Sequence, residues 1–501
     1  MATKFGWMEI MVELLWQSHK NIISHGHAEA IVPLVLIPLT AITVALTSIA
    51  GVIAGWFGIK LHTEGPKQFL EVLLKKRVLI SMLIVNFTGL ALYKSYVYIK
   101  TMPRFISTIQ KHSKENAIGS NEIYQDALFR EHNFNGKITN SNFNKFQLEK
   151  EIKLPKGAFR SGVISGSSIF YGNDDGNIYE INKADLAIKR KFYIGTPVTT
   201  RPIIFKDRIF SGEGTHDTHH ARIYSFNLKT GSFINSFTTK GHTEGQPLIG
   251  NYNGRYLMFI TAGSDGLYAL DPFTMREIWH QQDGHLDASV SLENGIVYVG
   301  TGIEKGSVND KRYAVAYDFN NGNRIWKKEL PLSNWMHPVI TKKYVCYSLG
   351  EIYFANSTGL FDCLDKKTGE PIFSIPFDGP LASLAFYIRD GENELVFIGK
   401  MNDEVCSIDI NNRTKKWCQS VGKNGTKNSM TSFDYDSKNN ILLYPSFKNG
   451  IFAFDPLKGS ILFHWLPQKI KWEDNYASAT IENNIFYQMD IEGNLRKFKM
   501  N

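Results

Sequence analysis

At 501 residues, 43% of them hydrophobic and 13% aromatic, the chain is long enough for several domains or one large repetitive one, and too apolar to be disordered. The formal net charge is +8, but Lys and Arg are scattered and no basic block of the kind that grips nucleic acid occurs, so no nucleic-acid partner is expected. Four cysteines (Cys346, Cys363, Cys406, Cys418) with no Cys-x-x-Cys spacing exclude a small fold built on disulfides.

The first predicted element, "WMEIMVELLWQSHKNIISHGHAEA", carries apolar residues at helical spacing and reads as an amphipathic segment lying along a membrane surface. Residues 30–59 follow, thirty in a row without a charge, where about 20 suffice to cross the hydrocarbon core. The run is too long and too late for a cleaved signal peptide. A second apolar run at 78–93 extends to about 99 if Lys94 snorkels to the headgroups. Together they predict a transmembrane helical hairpin. Lys60, Lys67, Lys75, Lys76 and Arg77 in the connecting loop place that loop in the cytoplasm and both chain ends outside it, although Lys94, Lys100, Arg104 and Lys111 weaken the bias. Residues 1–104 form this anchor, 105–142 a polar linker, and 143–501 a separate domain.

That domain consists of short strand patterns broken by Gly, Asn and Asp turns. "ARIYSFNLKTGSFINSF", "DGLYALDPFTMREIWH", "GLFDCLDKKTGEPIFSI" and "NGIFAFDPLKGSILFHW" are copies of one hairpin. Its first strand ends on Asn182, Asn227, Asp271, Asp318, Asp365, Asp409 and Asp455, at steps of 45, 44, 47, 47, 44 and 46 residues. Each unit continues through an Asp/Asn-x-x-x-Gly turn, in most copies, into a second strand. Two further strands precede each hairpin, and four strands per unit of this length is the signature of a β-propeller blade. Eight units are expected, beginning near Phe159, Thr199, Glu244, Asp287, Trp335, Ala382, Ser429 and Tyr476. The last stops after three strands, and "NKFQLEKEIKL" (144–154) is placed to supply its missing outer strand. The fold class is therefore all-β, an eight-bladed propeller behind an α-helical hairpin.

"GLYALDPFTMREIWH" and "GIFAFDPLKGSILFHW" resemble the Gly-x-Tyr-Ala-Leu-Asp-x-x-Thr-Gly-x-x-x-Trp units of the pyrroloquinoline-quinone (PQQ) type propellers. That superfamily spans quinoprotein alcohol dehydrogenases and the non-enzymatic outer-membrane assembly factor of the BamB type. The resemblance implies the fold; it does not choose between those functions. The adjacent cysteine pair typical of the quinoprotein enzymes is missing here, and the docking tryptophan survives only at Trp279, Trp326 and Trp417. PQQ is therefore the less fitting cofactor.

In an antiparallel blade the loop from second to third strand and the connection into the next blade emerge on one face. His216, His219 and His220 lie in the first kind of loop in blade 2. His242 and Glu244 enter blade 3, His285 and Asp287 enter blade 4, and His337 enters blade 5. All eight residues are expected around one mouth, with His-x-Glu and His-x-Asp each presenting imidazole and carboxylate on one side of a strand. Such donors suit a transition metal, with Glu244 or Asp287 as ligand or base. Three readings stay open: a metal or cofactor site, a polar mouth for a peptide or small ligand, and solvated loops with no site. The functional expectation is a binding or scaffold module anchored in a bacterial inner membrane, with its propeller in the periplasm and a protein or small-ligand partner. The alternative is a metal- or quinone-dependent oxidoreductase acting at the His/acid mouth.

Overall fold

The computed structural model describes residues 133–139, 141, 143–214, 220–304, 310–354, 357–401, 404–422, 431–467 and 475–501. The chain divides into two units, Met1–Arg104 and Phe105–Asn501, and the described residues all belong to the second. The surface segment and both apolar runs lie outside them. Among the described residues no helix is long and apolar enough to cross a membrane.

Eight sheets follow one another. Blade 1 holds β3 (Val163–Ser165), β4 (Ser168–Asn173), β5 (Asn177–Asn182) and β6 (Ile188–Tyr193), and blade 2 holds β7 (Ile203–Phe205), β8 (Arg208–Gly212), β9 (Arg222–Asn227) and β10 (Phe233–Thr238). Blade 3 holds β11 (Leu248–Tyr252), β12 (Arg255–Thr261), β13 (Leu267–Leu270) and β14 (Glu277–Gln281). Blade 4 holds β15 (Ser291–Glu293), β16 (Ile296–Gly300), β17 (Arg312–Asp318) and β18 (Arg324–Leu330). Blade 5 holds β19 (Val339–Ile340), β20 (Tyr344–Gly350), β21 (Gly359–Asp365) and β22 (Pro371–Phe377). Blade 6 holds β23 (Phe386–Asp390), β24 (Asn393–Lys400), β25 (Glu404–Asp409) and β26 (Thr414–Ser420). Blade 7 holds β27 (Asp434–Asp436), β28 (Ile441–Pro445), β29 (Ile451–Phe454) and β30 (Ile461–Trp465). In blade 8, β31 (Thr480–Glu482), β32 (Ile485–Met489) and β33 (Asn494–Met500) are completed by β2 (Phe146–Lys153), which pairs antiparallel with β33 from Phe146↔Met500 to Lys153↔Asn494.

The first strand of each blade lies innermost, and β31 of blade 8 touches β3 of blade 1, so the ring is closed. Closure leaves no sheet edge open at the seam. Second strands are buried almost throughout, as in β4 and β28, because each is covered by a neighbouring blade on both faces. Fourth strands are mostly exposed, as in β6.

The turn chemistry explains the sequence period. Asp365 Oδ1 accepts the amides of Lys367 and Thr368, both at 2.9 Å, and Asp455 does the same for Leu457 and Lys458 at 2.8 and 2.9 Å. A short acid or amide is needed there because only it can bond its own backbone two and three residues on. The same turns receive the docking tryptophans. The indole N–H of Trp279 donates to Phe319 O at 3.0 Å, that of Trp326 to Lys366 O at 3.0 Å, and that of Trp417 to Pro456 O at 3.1 Å. Each bond crosses from one blade's outer strand to the next blade's turn. Gly369 shows why glycine ends the turn: its φ is +71°, and a Cβ would stand 2.6 Å from the Trp326 ring. In blade 1 Arg190 takes the tryptophan's place, donating to Lys229 O at 2.9 Å and to Leu228 O at 2.6 Å.

The expected linker ends earlier than residue 142. β1 (Asn133–Asn135) pairs parallel with β23 on its axial side, from Asn133↔Tyr387 to Asn135↔Arg389, so it lies inside the ring. Gly136 N then donates to Arg389 O at 2.9 Å and Ile138 N to Asp390 Oδ2 at 3.0 Å. Ser141 Oγ reaches Asn439 O at 3.0 Å, beneath blade 7, before the chain enters β2. The segment thus runs down the axis from the mouth and leaves on the opposite face. The pairing arises because β23, an innermost strand, has a free edge facing the axis.

The four cysteines form two disulfides, Cys346–Cys363 in blade 5 and Cys406–Cys418 in blade 6. Both join residues directly opposite in strand register.

Candidate functional site

The connections entering blades 3 and 4 bring His242, His285 and Asp287 together. His242 Nε2 stands 2.7 Å from Asp287 Oδ1, and His285 Nε2 stands 2.9 Å from Asp287 Oδ2. All three residues are buried, and the two imidazole rings lie 5.2 Å apart. On its far side His285 Nδ1 is 2.9 Å from Ser264 Oγ, which in turn donates to Glu304 Oε2 at 3.0 Å. A continuous chain of hydrogen bonds therefore runs from exposed Glu304 through Ser264, His285 and Asp287 to His242.

Backbone pairing fixes the parts. Gly263 and Leu286 form an antiparallel bridge, with N–O distances of 3.0 and 2.9 Å, and Gly302 N donates to His285 O at 2.8 Å. The entry to blade 4 is thus held between the second-to-third strand loops of blades 3 and 4. Gly263, at φ +53°, lets the His242 ring close over it, since a Cβ would come within 2.6 Å of that ring. Ile303, Trp335, Ala382 and Met401 form an apolar cluster beside the mouth, with Tyr353 packed against it.

Burial alone would raise the Asp287 carboxyl, but the hydrogen bonds from His242 and His285 outweigh it and hold the group well below the ordinary carboxylate range. For His242 burial works against the charged form, yet the bond to Asp287 and its charge win and raise the pKa. Burial and the neighbouring Asp287 charge push Glu244 up to about 8, against the opposing effects of His242 and Arg160. Burial and then the negative field of Asp287, Glu244 and Glu304 push the Tyr353 phenol up to about 12.

Of the eight residues expected at the mouth, the structure joins three and sets Glu244 within electrostatic reach of them. His220 is exposed, with its amide on Lys240 O at 3.3 Å, so the blade 2 loop does meet the entry to blade 3. His216 and His219 lie outside the described residues. His337 is not in the cluster: it lines a cavity of about 310 Å³ in the axial channel, with Gln246, Leu248, Ser291, Glu293 and Val339. Burial lowers its pKa to about 4. Sequence reasoning missed Ser264 and Glu304. Both occupy the repeat position of the His216–His220 loop, and that equivalence was the available signal.

These features define an eight-bladed propeller of the PQQ-like class with a buried histidine–carboxylate cluster at one mouth. The family profile described as "Outer membrane protein assembly factor BamB" matches residues 219–334 and 310–495, more than half of the chain, and the chain belongs to that family. No curated protein sequence matches it. Among solved structures, BamB from Moraxella catarrhalis is similar at 12% identity and TM-score 0.52, covering 71% of this chain and 100% of that one. The computationally designed protein Ika8 is similar at 12% identity and TM-score 0.52, covering 74% of this chain and 99% of that one. At such identity these likenesses bear on the fold alone.

Proposed function

We propose that the chain is a membrane-anchored scaffold: the ring is displayed outside the cytoplasm and holds a protein partner, and the apolar runs at 30–59 and 78–99 tether it. The observation that carries this reading is membership of the family described as an outer-membrane protein assembly factor, a role that calls for a surface that holds protein. Two further features support it. The apolar runs are each long enough to span a bilayer. All four described cysteines are in disulfides, bonds that persist in oxidising compartments. A quinone-dependent enzyme is not favoured: both disulfides join neighbouring strands within one blade, and neither is the sequence-adjacent cysteine pair typical of the quinoprotein enzymes.

Site-specific photo-crosslinking in cells tests the scaffold. A crosslinking residue placed at His220, at Ser264 and on the exposed outer strand at Ile188 should trap one protein of defined mass from one surface and not from the others. Equal labelling at all three sites, or none, would overturn it. A membrane-impermeant thiol reagent tests location: a cysteine introduced at Lys229 should react in intact spheroplasts, and protection until lysis would place the ring in the cytoplasm.

A further inference from the structure

We propose that His242, His285 and Asp287 bind one divalent transition-metal ion of the zinc class, bridging blades 3 and 4 at the mouth. The inference does not rest on the scaffold reading, since a metal could serve there whether or not a protein docks.

Donor chemistry comes first. Two imidazole nitrogens and a carboxylate oxygen are a borderline set that suits Zn²⁺, Co²⁺ or Ni²⁺ and not Ca²⁺ or Mg²⁺. The three donor atoms lie within 4.8 Å of one another. Ligand atoms held about 2.0–2.2 Å from a tetrahedral ion stand roughly 3.4 Å apart, so the observed 2.7 and 2.9 Å separations of nitrogen from oxygen need to open by only about half an ångström to admit one. Glu244, within electrostatic reach of Asp287 and His242, is the candidate for a further donor. The ligands sit on backbone pinned by the Gly263–Leu286 and His285–Gly302 bridges, so little ordering is left for the ion to impose.

The outer partner points the same way: His285 Nδ1 stands 2.9 Å from Ser264 Oγ, and Ser264 in turn donates to Glu304 Oε2 at 3.0 Å. A metal-bound histidine characteristically donates its other nitrogen to such an outer partner, which fixes its tautomer. Here the partner is Ser264, backed by a carboxylate.

The test uses the full-length protein in detergent, stripped with a chelator and titrated with Co²⁺ as a spectroscopic probe. Wild type should take up a single equivalent per chain, develop visible d–d bands, and lose them when Zn²⁺ is added. His242→Ala and His285→Ala should abolish the bands. Ser264→Ala keeps all three ligands and should weaken Co²⁺ binding about tenfold, as expected for loss of an outer partner. Circular dichroism melts identify any variant that fails to fold, in which case Ser264→Ala decides. Uptake by wild type no greater than by the histidine variants, or bands unchanged by all three substitutions, would overturn the proposal. In that event the cluster is a hydrogen-bonded clamp between blades.

Discussion

Two side chains of the axial channel respond to pH in opposite senses. His337 has a folded pKa of about 4 against an ordinary value of 6.5, because burial disfavours the imidazolium. Between those values the unfolded chain binds the extra proton, so the stability His337 contributes is complete above pH 6.5 and is lost as pH falls through that window. Asp434, at the head of β27, is pushed up to about 8 from 3.8 by burial, which outweighs the Tyr435 amide and Arg201. Its folded form keeps a proton that the unfolded chain releases. The associated stability is complete below about pH 4 and declines as pH rises to about 8. His337→Gln should therefore flatten the acid limb of the thermal-stability profile, and Asp434→Asn the limb approaching pH 8. Each effect should reach about 1 kcal/mol or more, read as a shift of a few degrees in the propeller melt. Equal pH slopes in variant and wild type would refute the assignment.

The blade is the scale at which the sequence was most legible. Asp271, Asp318, Asp365 and Asp455 recur because one local reaction, a short carboxylate capping its own turn, needs no distant partner, and a period made of local chemistry can be read from one dimension. The docking of Trp326 onto Gly369 extends that logic across a blade boundary. Trp326→Ala should cost about 3–4 kcal/mol in urea unfolding, as for other large buried aromatics. Gly369→Ala should cost about 2 kcal/mol or more, because it strains a positive φ and drives a methyl into the same indole. The double variant should fall well short of the sum, since without the indole the added methyl has no ring to strike.

What the sequence did not show depends on contacts made at long range. His285 and Asp287 are two residues apart and share a face, so their association is local; Ser264 and Glu304 join them only because two loops from different blades converge. β1 is three residues, "NFN", with no pattern of its own, and its place is set by the unfilled edge of β23. For the cysteines, the spacing along the chain does not reveal the pairing, which depends on strand register. Direct opposition of Cys346 with Cys363 and of Cys406 with Cys418 across neighbouring strands makes the two disulfides.

At the scale of the whole molecule, the seam in blade 8 holds the ring. Phe146 is buried against Phe463, Phe486 and Phe498, with ring centroids at 4.8, 5.1 and 5.6 Å. Arg496, fully buried on β33, is held by Glu151 of β2 at 2.6 Å and by Asp490 at 2.9 Å. Phe146→Asp should detach β2 and bare the edge of β33, a template for pairing with another chain. Light scattering should then report a mass that rises with concentration, whereas wild type keeps its mass; an unchanged mass would show that the seam survives without β2.

That seam also sets a timetable. Phe146 pairs with Met500, so β2 must wait until about 350 further residues have been made before it finds its partner. At roughly 5–20 residues per second, the delay is on the order of tens of seconds. Throughout it, β2 is a loose strand and seven blades stand as an unclosed arc, while β1 must already lie along blade 6 or be drawn in before the gap shuts. A nascent chain of this kind depends on being shielded until β33 has emerged, and a truncation that removes β33 would leave the ring open with β2 unpartnered.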